Sequence, residues 1–201
     1  MKFFFPDSHD LVDPSFDFTS EERAVGRIRH QHDLYAHEVF PAPPYDGLLL
    51  SKAIVDGTQN GAGKYTSPQR QRLLRTGVRD FFRLGKLPIS VMGDCGAFAY
   101  VREKTPPYSV EEVLDFYEQC RFDQGVSVDH VILGFTTDDK KAPLPAEDLE
   151  NYKERQEITL TLARDFLKQH RQRRLPFIPV GVAQGWSPAS YAASIAQLQK
   201  M

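Results

Sequence analysis

A chain of 201 residues, 41% hydrophobic and 26% charged, can bury one sizeable core and falls outside the composition of disordered chains. Its formal charge of −2 gives no global attraction to polyanions, so contact with nucleic acid needs a local basic patch. Two cysteines, Cys95 and Cys120, are too few for a disulfide scaffold or a Cys-rich zinc centre; no apolar run nears the roughly 20 residues of a membrane span; and Phe3-Phe4-Phe5 turns acidic too soon for a secretory signal, so a reduced, cytoplasmic setting is expected.

Apolar runs alternate with helical patterns, the signature of strand–helix units around a parallel sheet. Lys2 to Phe5 is the first strand, followed by an irregular stretch from Asp7 to Asp46 containing Pro14, Pro41, Pro43 and Pro44. Gly47 to Val55 is the second strand, apolar on both faces over much of its length, as a strand buried between helices must be. Ser67-Pro68 opens a helix to Leu84, with Leu73, Leu74, Val78, Phe81 and Phe82 on one stripe. Ile89 to Met92 is the third strand. Ser109-Val110-Glu111-Glu112 is a capping box for a second helix, Val126 to Leu133 is the fourth strand, and a third helix runs from Pro145 to about His170. Phe177 to Ala183 is the fifth strand, and Ser187-Pro188 opens a last helix. No linker divides the chain, so residues 1–201 are expected to form a single domain.

The third strand stops abruptly at Asp94-Cys95-Gly96-Ala97-Phe98. In α/β proteins ligands gather beyond the carboxyl ends of parallel strands, which puts Asp94 at a mouth, Gly96 where a ligand approaches closely, and Phe98 where a planar ring can stack. Asp129 in the fourth strand and Gln184-Gly185 after the fifth offer polar groups at the same level. Carboxylates, a carboxamide, glycine amides and an aromatic face together suit a planar heterocycle such as a purine. The alternatives remain open: Asp94 as an ordinary turn cap, and Asp129 as a structural carboxylate tied to backbone amides. His130 should point away from Asp129 and pack on a helix. With no histidine near it in sequence, Cys95 reads as a small pocket residue rather than a nucleophile.

Three other clusters have two readings each. His30, His32 and His37 with Asp33 and Glu38 could suggest a metal, but the spacing matches no ligand pattern, and no metal site is expected in this chain. Gly57 to Lys64 resembles a phosphate loop superficially, yet Thr58 stands where the first glycine belongs, and Tyr65 where the magnesium hydroxyl belongs, leaving Lys64 as a possible phosphate contact. Arg171, Arg173 and Arg174 are either helix-end cations or a phosphate-binding patch for nucleic acid.

The Asp94-Cys95-Gly96-Ala97-Phe98 run is similar to the Asp-Ser-Gly-Gly-Phe segment of the tRNA-guanine transglycosylase superfamily. Gly125-Val126-Ser127-Val128-Asp129-His130 and Val182-Ala183-Gln184-Gly185 fall where that family carries its base-recognition Asp and Gln. Phe3-Phe4-Phe5-Pro6-Asp7-Ser8, Asp33-Leu34-Tyr35-Ala36-His37-Glu38 and Ser51-Lys52-Ala53-Ile54-Val55-Asp56-Gly57 resemble its DNA-modifying, DpdA-type branch.

The resemblance implies a TIM-barrel enzyme that exchanges guanine in DNA, or alternatively tRNA, for a 7-deazaguanine base such as 7-cyano-7-deazaguanine, through a covalent link between an Asp and the sugar. It makes Asp94 the acid/base, Phe98 a stacking platform, and Asp129 and Gln184 readers of the base, with Cys95, Gly96 and Gly185 lining the pocket. The family's nucleophilic Asp and Cys/His zinc site find no counterpart in these residues. Five strand–helix steps are also too few for an eight-stranded barrel of about 250 residues. The chain is therefore expected to be an incomplete barrel, a fragment or split subunit completed by another chain or a second copy. A complete five-stranded open sheet is the alternative. A non-catalytic base- or partner-binding module is the alternative function.

Overall fold

The structure, a computed structural model, describes residues 2–6, 11–57, 65–137 and 144–201. Five strands, β1 (Phe4–Pro6), β2 (Gly47–Ser51), β3 (Ser90–Asp94), β4 (Gln124–Val126) and β5 (Ile178–Val180), form one wholly parallel sheet in the order β1-β2-β3-β4-β5. Each strand is added to the same side of its predecessor, with no reversal of order. A doubly wound sheet would reverse at a switch point, so the topology is that of a partial TIM-barrel-like α/β fold.

Alternation along the strands separates two faces. Leu48, Leu50 and Val91 are buried, and they join Leu73, Val78, Val113 and Leu114 of the helices in one core. Leu49, Ser51, Met92 and Asp94 lie on the other face and are only half-buried. The helix α5 (Val110–Cys120) approaches the sheet where Gly93 and Gly125 stand in register. The fully buried ring of Tyr117 lies flat against both glycines, and its hydroxyl donates to the Val126 carbonyl at 2.9 Å. A side chain at either position would push the helix off the sheet.

The apolar run at 47–55 does not remain a strand. It turns after Ser51 into the short helix α2 (Lys52–Asp56), because the Ala53 amide bonds to the Cys95 carbonyl (3.2 Å) instead of continuing a ladder. Lys52 pairs with Asp56 at 2.5 Å and lies over the rings of Tyr108 and Phe116. Short apolar runs do not distinguish a buried strand from a buried helix by periodicity.

The expected helix at 67–84 is broken by Gly77 (φ 81°) into α3 (Ser67–Thr76) and α4 (Val78–Phe81). The fourth strand is shorter than expected and starts earlier. Beyond Val126 the chain gives its amides to other partners: Ser127 to the Val180 carbonyl, His130 to Thr159 Oγ1, and Ile132 to Gln184 Oε1. The helix α6 spans Ala146–Arg173, and α7 spans Pro188–Leu198 behind its Ser187 cap.

Between β1 and β2 the only regular helix among the described residues is α1 (Ala36–Val39). An antiparallel bridge, Val12 to Leu34, closes the stretch before it, and Arg27 spans the nearly buried Asp13 and Asp33 at 2.7 and 2.5 Å. Among the described residues no helix is long and apolar enough to cross a membrane.

Candidate functional site

Asp94 ends β3 in register with Ser51 of β2, whose hydroxyl donates to Asp94 Oδ2 at 2.8 Å; the Gly96 amide donates to the same oxygen at 2.9 Å. Gly96 holds φ 85°, and a Cβ there would stand 2.7 Å from the Ala53 Cβ, so turn and packing both demand glycine. Asp129, almost fully buried, accepts from the Cys95 thiol at 3.1 Å through Oδ1 and from Gln184 Nε2 at 2.6 Å through Oδ2. One donor atom from each of Asp94, Cys95 and Asp129 lies within 4.8 Å of the other two. Strand tips β3, β4 and β5 therefore converge on one polar floor.

Burial pushes the Asp94 carboxyl above its ordinary value, despite the Ser51 and Gly96 bonds. Burial, reinforced by the Asp94 charge, does the same to Asp129 against the opposing bonds from Cys95 and Gln184. The Cys95 thiol is driven up by burial and by both carboxylates, so it stays protonated. Two neighbouring carboxyls with raised pKa values keep their protons to higher pH than ordinary carboxylates, which is what a general acid needs.

A protonated thiol already bonded to Asp129 suits a pocket floor better than an ion cage. Cys95, Asp94 and Asp129 are the only His/Cys/Asp/Glu group of that closeness among the described residues. The loop histidines serve separately: His37 is buried between the Tyr45 hydroxyl (2.8 Å) and the Phe82 carbonyl (2.9 Å), while His32 Nδ1 accepts from the Ile28 amide.

Residues behind the floor hold it in shape. The Tyr100 hydroxyl lies 3.0 Å from Cys95 Sγ and 3.1 Å from the Asp129 carbonyl. Gln184 accepts from the Ile132 amide through its side chain and from Gln156 Nε2 through its carbonyl (2.8 Å). Gly185 packs on α7, where a Cβ would sit 2.8 Å from Ser190 Oγ. His130, fully buried, points away from Asp129 into the helix layer, as its place in the sequence predicts. Arg155 Nη1 is 3.0 Å from His130 Nδ1, and because arginine only donates, that nitrogen must accept. His130 is thereby neutral, with Nε2–H donating to the Glu103 carbonyl at 2.9 Å. Arg155 also bonds the Val131 and Val101 carbonyls, clamping the loops that follow β3 and β4.

Phe98 lies in a 3-10 turn, Ala97–Tyr100, shortly after Asp94 in the chain, with 74% of its surface exposed. Arg171, Arg173 and Arg174 lie at the far end of α6, where the chain feeds into the start of β5, opposite the strand tips. Arg171 bonds the Met201 carbonyl, Arg173 pairs with Asp115 and Glu118, and Arg174 caps the helix with φ 53°. Lys64 lies outside the described residues. A cavity of about 380 Å³ lined by Phe16, Arg23, Arg27 and Asp33 contains none of the converging residues.

Ser51, Tyr100, Gln156 and Arg155 were not foreseen as parts of the site. Ser51 had one signal, a hydroxyl closing the apolar run Leu48-Leu49-Leu50; the others act through contacts that sequence spacing does not reveal.

No protein-family model matches the chain. A curated protein from Salmonella montevideo named DNA-guanine transglycosylase is 50% identical to it over all 201 residues. Over its whole length, then, the chain is similar to a transglycosylase. It spans about half of that relative, 47% of its length. The resemblance carried by the Asp94 and Asp129 segments thus extends, at this level of identity, from end to end of the transglycosylase-like chain.

Proposed function

We propose that these residues form the base-binding half of a DNA-guanine transglycosylase, which exchanges guanine in DNA for a 7-deazaguanine base in the cytoplasm. The observation that carries this reading is the Asp129–Gln184 pair, 2.6 Å apart and beside the raised carboxyl of Asp94. Guanine presents N–H donors at N1 and N2 and an acceptor at O6. Asp129 accepts the donors, the second Gln184 Nε2 proton serves O6, and Phe98 covers a ring face. Cys95, Gly96 and Gly185 shape the floor.

In the exchange, a carboxylate from outside these residues attacks the sugar's anomeric carbon, and the bond from that carbon to guanine breaks. Asp94 gives its proton to the departing base. The incoming base returns a proton to Asp94 and displaces the carboxylate, which restores both partners. A neutral Asp94 at the start is what its burial favours.

Ile178, in edge strand β5, is 63% exposed. Its exposure favours a partner segment against the half-buried sheet face, which would complete the barrel and bring the attacking carboxylate. The test is calorimetry of guanine and 7-cyano-7-deazaguanine with this chain and with Asp129→Ala. Binding by the chain and its loss in the variant support the reading; no binding by either sinks it.

A further inference from the structure

Hydrophobic order is inverted in the segment that follows Asp129. Ile132 and Thr136 are buried, whereas Leu133 and Phe135 are 63% and 56% exposed. Two large apolar groups therefore face solvent while a threonine faces in. Gly134 explains the geometry: its backbone lies against the ring of Tyr152 on α6, where any Cβ would overlap that ring.

The segment is also fixed in place. Arg155 holds the Val131 carbonyl, Gln184 Oε1 accepts from the Ile132 amide, and the Thr136 amide donates to the Trp186 carbonyl at 2.8 Å. The Phe135 ring is braced 6.4 Å from that of Tyr191. Rigid presentation of exposed apolar side chains marks a surface that meets something. Here the residue bonded to Ile132 is Gln184, which itself bonds Asp129, so the segment carrying the pair is tied directly to the floor of the proposed base pocket.

We propose that Leu133 and Phe135 form an apolar wedge that enters the DNA base stack where the target guanine leaves it. This rests on the base-exchange reading above. A base inside a duplex cannot reach a floor between strand tips unless it swings out, and the gap it leaves costs stacking energy that an inserted apolar side chain recovers. Phe98 would then cover the extruded base, while Leu133 and Phe135 fill the space behind it. The inference assigns them to duplex opening and leaves base recognition to Asp129 and Gln184.

The test compares this chain with Leu133→Ala/Phe135→Ala on duplex and single-stranded DNA of one sequence, with a fluorescent adenine analogue beside the target guanine. The wild-type chain should raise the analogue's emission in duplex, and the double variant should lose that rise and bind duplex roughly tenfold more weakly. Binding of free guanine and of the single strand should change less than about twofold, and Phe135→Tyr should retain the rise. The wedge is overturned if the variant unstacks duplex like the wild type, if single-strand binding falls equally, or if the wild type unstacks nothing. Free guanine separates the two proposals, since its failure to bind strikes the base-exchange reading itself. Both side chains are exposed, so an unchanged thermal midpoint should accompany the variant.

Discussion

Gln184 Nε2 donates to Asp129 Oδ2 at 2.6 Å, joining two strand tips that lie 55 residues apart in the chain. The same side chain accepts from the Ile132 amide, so Gln184 is oriented from both ends. Gln184→Glu places a second carboxylate against Asp129 and removes the donor. It should weaken guanine binding by more than about tenfold in calorimetry. Gln184→Ala leaves the Ile132 amide and an Asp129 oxygen without that partner, and should cost about 1–3 kcal/mol in urea unfolding. Undiminished guanine affinity in both variants would remove Gln184 from the pocket.

The raised pKa values of Asp94 and Asp129 make binding and stability respond oppositely to pH. Asp129 accepts two N–H groups only when ionised, so guanine affinity should fall as pH drops through its raised pKa, above the ordinary carboxylate range. The folded chain holds these protons more tightly than the unfolded one. Their contribution to stability is therefore fully present below the unfolded carboxyl pKa and is lost as pH rises through the folded values. Asp129→Asn should flatten its share of this slope in unfolding measured from acid to neutral pH. A wild-type slope unchanged by Asp94→Asn and Asp129→Asn together would refute the assignment.

Gly96→Ala combines a positive φ with a Cβ only 2.7 Å from that of Ala53. A cost of about 1–3 kcal/mol is expected, read as a lowered thermal midpoint. The Gly96 amide donates to Asp94, so guanine affinity should change too, whereas Gly26→Ala, with open space around it, should show only the backbone penalty.

Both thiols should be silent in the folded protein. Cys95 is fully buried and driven above its ordinary pKa, and burial takes Cys120 to about 12. A thiol reagent at neutral pH should titrate neither until denaturant is added. Fast labelling of Cys95 in the native state would mean that the floor beneath Asp129 opens.

The elements with strong local signals were legible beforehand. Ser109 and Glu112 announced α5, Ser187-Pro188 announced α7, and the alternation of apolar runs with helical stripes announced a parallel sheet. Lys52 to Asp56 is a helix where a strand is expected because its apolar run has no period of its own, and the fourth strand is short because the His130 and Ile132 amides bond side chains rather than a ladder. The Gly77 break was hidden for a similar reason, since the apolar stripe runs straight across it.

By itself the sequence determined the α/β class and the places where strands end in polar groups; that some of those groups face a base is what the resemblance implies. Those properties are local: residue type, spacing and caps act within a few turns of chain. The tertiary structure decided that Ser51 reaches Asp94 across the sheet register, that Cys95 and Gln184 divide the two oxygens of Asp129, and that Leu133 and Phe135 face outward. Such relations depend on how distant strands align and on what burial does to a charge, and no short stretch of sequence encodes either.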